Sequence, residues 1–358
     1  MENEATTPPE RRTMRAAWRT GSHIAVREVD APAPGPGQVL LRVERAGICG
    51  SDLHLLHSEN RTTRIMGHEF SGTVVELGKD VTRFRLGHTV CSMPTIGCGR
   101  CLDCLGGDPA HCVVQQSVGL SMPFNGALAE YVLAGEHETF VLPDGVDPSL
   151  GALVEPLAVG LKNVEKAQCR AGDAMVILGG GPVGLASVLW ARAQGVSDII
   201  VSDPVESRRR LALQLGATAV VDPLQDDLSS FCLRELKRLP ETVVECVGRP
   251  GSIDLATAIA ARGGRVVISG LHKASEPVNR AVPFMKDLAI NFSMMYEKRH
   301  FTYTLQMLAQ RRIDPRPLIT HEISLDEVPR IMELLSGPNE CGKVLVNPRL
   351  HAGCGCGA

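Results

Sequence analysis

The chain has 358 residues, more than one compact domain usually holds and enough for two. Hydrophobic residues make up 44% and charged residues 22%, and 37 Lys and Arg against 40 Asp and Glu leave a net charge of −3. That balance excludes a protein that binds nucleic acid or anionic lipid by charge alone, and no apolar run reaches the roughly 18–20 residues of a membrane span.

Residues 1–13 read as a disordered extension. They begin Met1-Glu2-Asn3-Glu4 and continue with Thr, Pro and Arg, without the apolar core of a secretory signal, so the expected setting is cytoplasmic. From Met14 to about residue 150, short apolar stretches such as Gln38–Glu44, Ser71–Gly78 and Gly126–Leu133 alternate with Pro and Gly turns, a β-rich pattern. Near residue 170 the rhythm changes to strand and helix in alternation. Strands are expected at 174–178, 198–202, 218–221, 242–246, 265–269 and 289–292. The spacing of Leu228, Phe231, Cys232, Leu236 and Leu239 marks one face of a helix between them. Such alternation packs as a parallel sheet covered on both faces, so the fold class is α/β. Helices at 300–310 and 324–336 lead to a last strand, Lys343–Val346, expected to return to the first domain. The expected organisation is a first domain at 14–160 rejoined by 297–350, a second at 161–296, and a disordered tail at 351–358.

Four of the twelve cysteines lie within fifteen residues, at Cys98, Cys101, Cys104 and Cys112. Two successive C-x-x-C spacings let three thiolates point inward from one turn, and the fourth closes a tetrahedral, all-sulfur site suited to structural zinc. A [4Fe–4S] cluster is the rival, but its usual run has a shorter final spacing and a Pro after the last Cys. Most other cysteines sit in apolar strings as small core residues. The Gly-rich tail carrying Cys354 and Cys356 is too weak a pattern to assign.

Gly179-Gly-Gly181-Pro182-Val183-Gly184 matches G-x-G-x-x-G between a strand and a helix, the context that dinucleotide binding requires. Gly179 permits the tight turn, Gly181 admits a pyrophosphate, and Gly184 lets the helix pack on the strand. Asp203 ends the next strand nineteen residues on, placed to accept both ribose hydroxyls and repel a 2′-phosphate. NAD is therefore expected over NADP, with Arg208, Arg209 and Arg210 the feature that favours NADP instead.

Gly47-Ile-Cys49-Gly-Ser51-Asp52-Leu-His54, Gly67-His68-Glu69 and Leu153-Val-Glu155-Pro156 are separately unremarkable. Together with the cysteine loop and the nucleotide motif, and in this order, they make the chain resemble the zinc-dependent medium-chain alcohol dehydrogenases from Met14 to Val346. The Glu155-Pro156 pair is similar to the polyol, butanediol and threonine dehydrogenase branch, where the liver-type enzymes carry a second Cys. The resemblance implies a GroES-like catalytic domain followed by a Rossmann domain, and two zinc ions per chain. It implies Cys49, His68, Glu69 and Glu155 around a catalytic zinc, with Asp52 orienting His68. Ser51 and His54 become a proton relay from substrate to solvent. Zn²⁺ with Cys49, neutral His68 and Glu69 is net zero, and Glu155 would make it −1, so Glu155 is expected to bind loosely or exchange.

The expected reaction is hydride transfer between NAD and a secondary alcohol, vicinal diol or polyol, with an amino alcohol acid such as threonine as the alternative. A quinone or enoyl reductase of the same fold would lack the Cys49, His68 and Glu155 set. A zinc ribbon would space its Cys pairs further apart, and a silent relative would not keep every candidate catalytic residue. His57, Ser92, Phe124, Met294, Met295 and Tyr296 are candidate cleft residues by position. A homodimer or homotetramer is expected, with the strand near 289–293 able to pair across a two-fold axis.

Overall fold

The computed structural model describes residues 12–59, 62–121, 123–272 and 275–350. The expected tails lie outside them, except that the first strand, Thr13–Thr20, opens one residue before Met14.

Two large sheets organise the described residues. The first, of seven strands, runs Thr139–Val141, Thr89–Ser92, Glu69–Leu77, Gln38–Gly47, Lys343–Val346 and Ile319–Ile323, with Tyr131–Gly135 also paired to Gln38–Gly47. The entry of the chain's last strand into this sheet is what matters for the site. Gly47 stands opposite Glu69 on one side and opposite Leu345 on the other, so residues far apart in sequence converge where the strand delivers Cys49. A smaller sheet of His23–Asp30, Thr13–Thr20 and Arg64–Ile65 packs beside it.

The second sheet has six parallel strands in the order Ala219–Val221, Asp198–Ser202, Ala174–Leu178, Thr242–Glu245, Arg265–Ile268, Ala289–Phe292. The chain winds outward from Ala174–Leu178 in one direction and then in the other. That reversal leaves a crevice beyond the strands' carboxyl ends, where doubly wound sheets take nucleotides. Side chains alternate between two cores, as the period of a strand dictates. Val176, Leu178, Ile200 and Val243 face Phe231 and Ala256, whereas Met175, Ile177, Val201 and Val244 face Leu157, Leu161 and Trp190.

The sequence pattern does not reveal the helix Pro148–Ala167. Asp147 caps it by accepting from the Ser149 and Leu150 N–H groups. It is buried along most of its length because it lies between the two sheets. The expected limit at 160/161 falls inside it. The helix Lys298–Ala309 packs here too, through Phe301, Leu305 and Leu308, which recur at i, i+4 and i+7. The chain rejoins the first sheet only at Ile319–Ile323.

Candidate active site

Cys49 is the N-cap of the helix Gly50–Leu56. One buried carboxylate organises its surroundings. Asp52 accepts from the Cys49 N–H at 3.0 Å and from the Gly67 N–H at 3.2 Å, tying the helix start to the turn that presents His68. Its Oδ1 also stands 3.5 Å from His68 Nδ1. Glu69 follows on the neighbouring strand, and the donor atoms of Cys49, His68 and Glu69 all lie within 4.8 Å of one another. Burial alone would depress the basicity of His68, but the charges of Asp52 and Cys49 outweigh it and raise the pKa well above the usual value. Burial likewise opposes ionisation of Asp52, yet His68 and the two N–H donors hold its pKa low. Ser51 Oγ lies 3.4 Å from His68 Nε2, and His54 is exposed one turn further along the helix.

Lys343 completes the cluster, a residue that the motifs do not include. Its ammonium is fully buried, donates to both Glu69 oxygens at 2.7 Å, and reaches the Ile48 carbonyl at 3.1 Å. Burial opposes its charge, but Glu69 and Cys49 raise its pKa. The signal for it is a single Lys opening an apolar strand, Lys343-Val-Leu-Val346, in a position where a cation must be paired.

Glu155, expected to bind the metal loosely or exchange, is buried and interacts with His68 and Glu69. It approaches from the helix Pro148–Ala167 and stays outside the set of three donors. Burial pushes its pKa up to about 7, and repulsion from Glu69 adds to that while His68 opposes it. The buried Tyr296 hydroxyl faces Glu155, and burial and that carboxylate together raise its pKa. Of the other cleft candidates, His57 is bonded to Ser336 on the outer side of its helix, and Ser92 is buried against the Met93 and Glu138 carbonyls. Met294 is 65% exposed beside the second sheet's edge.

The four sulfurs of Cys98, Cys101, Cys104 and Cys112 also lie within 4.8 Å of one another. Backbone N–H groups point at them: Cys98 N at Cys112 Sγ, Cys101 N at Cys98 Sγ and Cys104 N at Cys101 Sγ, all at 3.4–3.5 Å. Hydrogen bonds from the Arg100 and Cys101 backbone bring the Cys98 thiol down to about 6, while burial pushes Cys104 up to about 12. Amide donors aimed at sulfur favour thiolates, the form that binds metal.

In the nucleotide loop, Gly179 has φ +93°, which disfavours any side chain. A Cβ on Gly184 would come 1.9 Å from the Gly179 carbonyl oxygen, whereas one on Gly181 would meet nothing within 4 Å. The space above Gly181, at the start of the helix Pro182–Ala193, is therefore open to a ligand that a side chain there would obstruct. Pro182 and Val183 form that helix's first turn. Asp203 is buried, with one oxygen accepting from Gly180 N–H at 2.8 Å and the other from Val205 N–H at 2.7 Å. Each oxygen keeps one lone pair for a further donor. Arg208 stays 4.0 Å from Asp203, whereas Arg209 turns to Asp222 and Arg210 to Glu206. We expect Gly184→Ala to cost about 3 kcal/mol by overpacking and to weaken dinucleotide binding at least tenfold. Thermal unfolding and calorimetric titration with NAD check both effects.

Residues 35–144 match the family model of the alcohol dehydrogenase GroES-like domain, and residues 182–310 that of the zinc-binding dehydrogenases. Sorbitol dehydrogenase of Bacillus subtilis (strain 168) is 32% identical over 349 residues, covering 93% of this chain and 96% of the relative. L-threonine 3-dehydrogenase of the same organism is 33% identical over 332 residues, covering 90% and 94%. A Sinorhizobium meliloti 1021 protein described as a zinc-binding dehydrogenase, solved bound to NADP, is 35% identical. It superposes with a TM-score of 0.86 over 94% of this chain and 100% of that one.

Proposed function

The chain belongs to the zinc-dependent medium-chain alcohol dehydrogenases, NAD(P)-dependent oxidoreductases of secondary alcohols, and from this premise we propose its particular reaction and the residues that perform it. It oxidises a polyol or vicinal diol to the ketone, with NAD as hydride acceptor. The observation that carries the reading is the convergence of half-buried Cys49 with buried His68 and Glu69, a donor set suited to catalytic zinc.

Zinc held there supplies Lewis acidity that lowers the pKa of a substrate hydroxyl. Cys49 and Glu69 each bring one negative charge, and Asp52 holds His68 in place through its second nitrogen. Glu155 stands beside this set as the exchangeable carboxylate. Ser51 takes the substrate's hydroxyl proton and His54 leads it toward water. NAD would be held with its pyrophosphate on the turn from Gly179 to Gly184 and its adenosine ribose donating to Asp203, and would supply hydride acceptance. What supports NAD is the buried, negative Asp203 where a 2′-phosphate would sit. Arg208, kept nearby and bonded to Asn339 Oδ1 at 3.0 Å, is the group that would accommodate NADP.

The Cys98, Cys101, Cys104 and Cys112 lobe holds a second, structural zinc in this reading. Cys104→Ser should lower zinc by one ion per chain and open residues 98–112 to protease, measured by elemental analysis and limited proteolysis. A reducing, cytoplasmic setting fits the ten cysteines of the described residues, all free thiols. No helix among those residues is long and apolar enough to cross a membrane.

The protein is a homodimer in this reading, joined along the open edge of the second sheet. Supporting it are the exposed apolar side chains on and beside the edge strand Ala289–Phe292: Phe292, Met294, Phe284 and Met285. Phe292→Arg is expected to give a monomer by light scattering.

The reaction is tested by NADH formation from NAD with 2,3-butanediol, sorbitol, threonine and simple secondary alcohols, repeated with NADP and after chelation. Turnover of a diol or polyol that chelation abolishes supports the reading. Turnover of threonine alone assigns the amino alcohol instead, and no turnover of any alcohol overturns it.

A further inference from the structure

Three residues beyond His54, the same short helix ends on a second histidine. His57 is the C-cap of Gly50–Leu56, so the two imidazoles start from Cβ atoms about 5–6 Å apart on one face. Both line a recess of about 410 Å³ that opens to solvent between this helix and Leu335 and Ser336 of the returning segment. His57 Nε2 lies 2.7 Å from Ser336 Oγ. The Ser336 hydroxyl has one hydrogen, which it donates to the Met332 carbonyl at 2.7 Å. Its oxygen must then accept from His57, so Nε2 carries a hydrogen and Nδ1 is left as the basic nitrogen.

We propose that His57 is the outer proton acceptor of this dehydrogenase, taking the substrate's proton from His54 and giving it to water in the recess. The assignment rests on the reading of Ser51 and His54 given above. The balance is simple. Oxidation of the alcohol sends a hydride to NAD and frees one proton, which crosses from His54 to His57 Nδ1 while the Nε2–H bond to Ser336 is kept. It then leaves from Nδ1 to solvent. A ring anchored at Nε2 keeps Nδ1 in place for transfer, where a free side chain would lose rotamer entropy on each encounter. The groups that face His57 are His54 on its own helix, His23 on the strand His23–Asp30, and Arg330 and Glu333 on the helix Val328–Ser336.

The test uses zinc-loaded protein and whichever panel alcohol it oxidises fastest. His57→Gln keeps a side-chain N–H for Ser336 but removes the proton acceptor. It should lower kcat by about 3- to 10-fold near pH 7, less than the 10²-fold or more of a direct general base. The difference should close above about pH 9, where hydroxide and buffer relieve His54 directly, and added imidazole should restore the rate. Ser336→Ala, which removes the anchor and keeps the imidazole, should fall by less than 2-fold. Equal losses in both variants without imidazole rescue would mean that His57 only ties the two helices together, and would overturn the proposal. His54→Gln separates the inner step of the relay from the outer one. A slow His54→Gln beside a normal His57→Gln overturns this inference alone, and a normal His54→Gln overturns the relay on which it rests.

Discussion

Lys343→Met is expected to destabilise the metal-free protein by about 3–5 kcal/mol, the cost of leaving Glu69 buried and ionised without its partner. Both groups are almost wholly inaccessible, and two 2.7 Å contacts make the pair bidentate. Methionine matches the lysine stem in length, so lost packing contributes little and the effect reports on charge. Zinc changes the arithmetic. A divalent ion beside Glu69 supplies the missing positive charge, so the loss should shrink to about 1–2 kcal/mol in zinc-saturated protein. Thermal unfolding of both variants with and without zinc checks this, and an equal loss in the two states would show that Lys343 acts through packing. Lys343 also revises the charge count that the motifs alone suggest. With its +1 included, Cys49, Glu69 and Glu155 around Zn²⁺ sum to zero, so charge does not exclude Glu155 from the metal.

His68→Ala should remove the triad's zinc and abolish turnover. A bound metal stabilises developing charge by several kcal/mol, so the rate should fall by about 10³-fold or more. Zinc content should drop by one ion per chain while the Cys98–Cys112 lobe keeps its own. Dinucleotide affinity should change little, because Gly179–Gly184 and Asp203 belong to the other sheet. Glu155→Ala is the contrast. Zinc content should stay at the native value, since the three ligands remain, and kcat should fall about tenfold as the exchangeable carboxylate is lost. Native turnover in Glu155→Ala would remove that residue from the mechanism, and loss of zinc would make it a full ligand.

Features built from contiguous residues are legible in the amino-acid sequence. The cysteine lobe and the glycine turn each occupy fewer than twenty residues, and their spacing dictates local backbone geometry. Parallel strands buried on both faces announce themselves as unbroken apolar runs, as in Ala174–Leu178. The helix Pro148–Ala167 is illegible for a different reason: Pro156 lies inside it and its polar residues Glu155, Lys162 and Asn163 are buried, so polarity does not mark a solvent face. His57 is visible as a residue, but its tautomer depends on Ser336, which another helix brings to it.

By itself the sequence determined the class of fold and the spacing of the glycine turn and the four-sulfur lobe, and its resemblance to a family pointed to the residues offered to a catalytic metal. Only the tertiary structure decided which of those residues meet. Glu69 and Lys343 are 274 positions apart and pair because the last strand joins the sheet beside Gly47, a register that no local pattern encodes. Glu155 reaches the same cluster from the helix Pro148–Ala167, which the sheet pairing of Cys49, His68 and Glu69 does not include. Spacing along a chain controls geometry over a few turns of backbone, whereas the charge balance of a buried site is set by strands and helices that converge from its whole length.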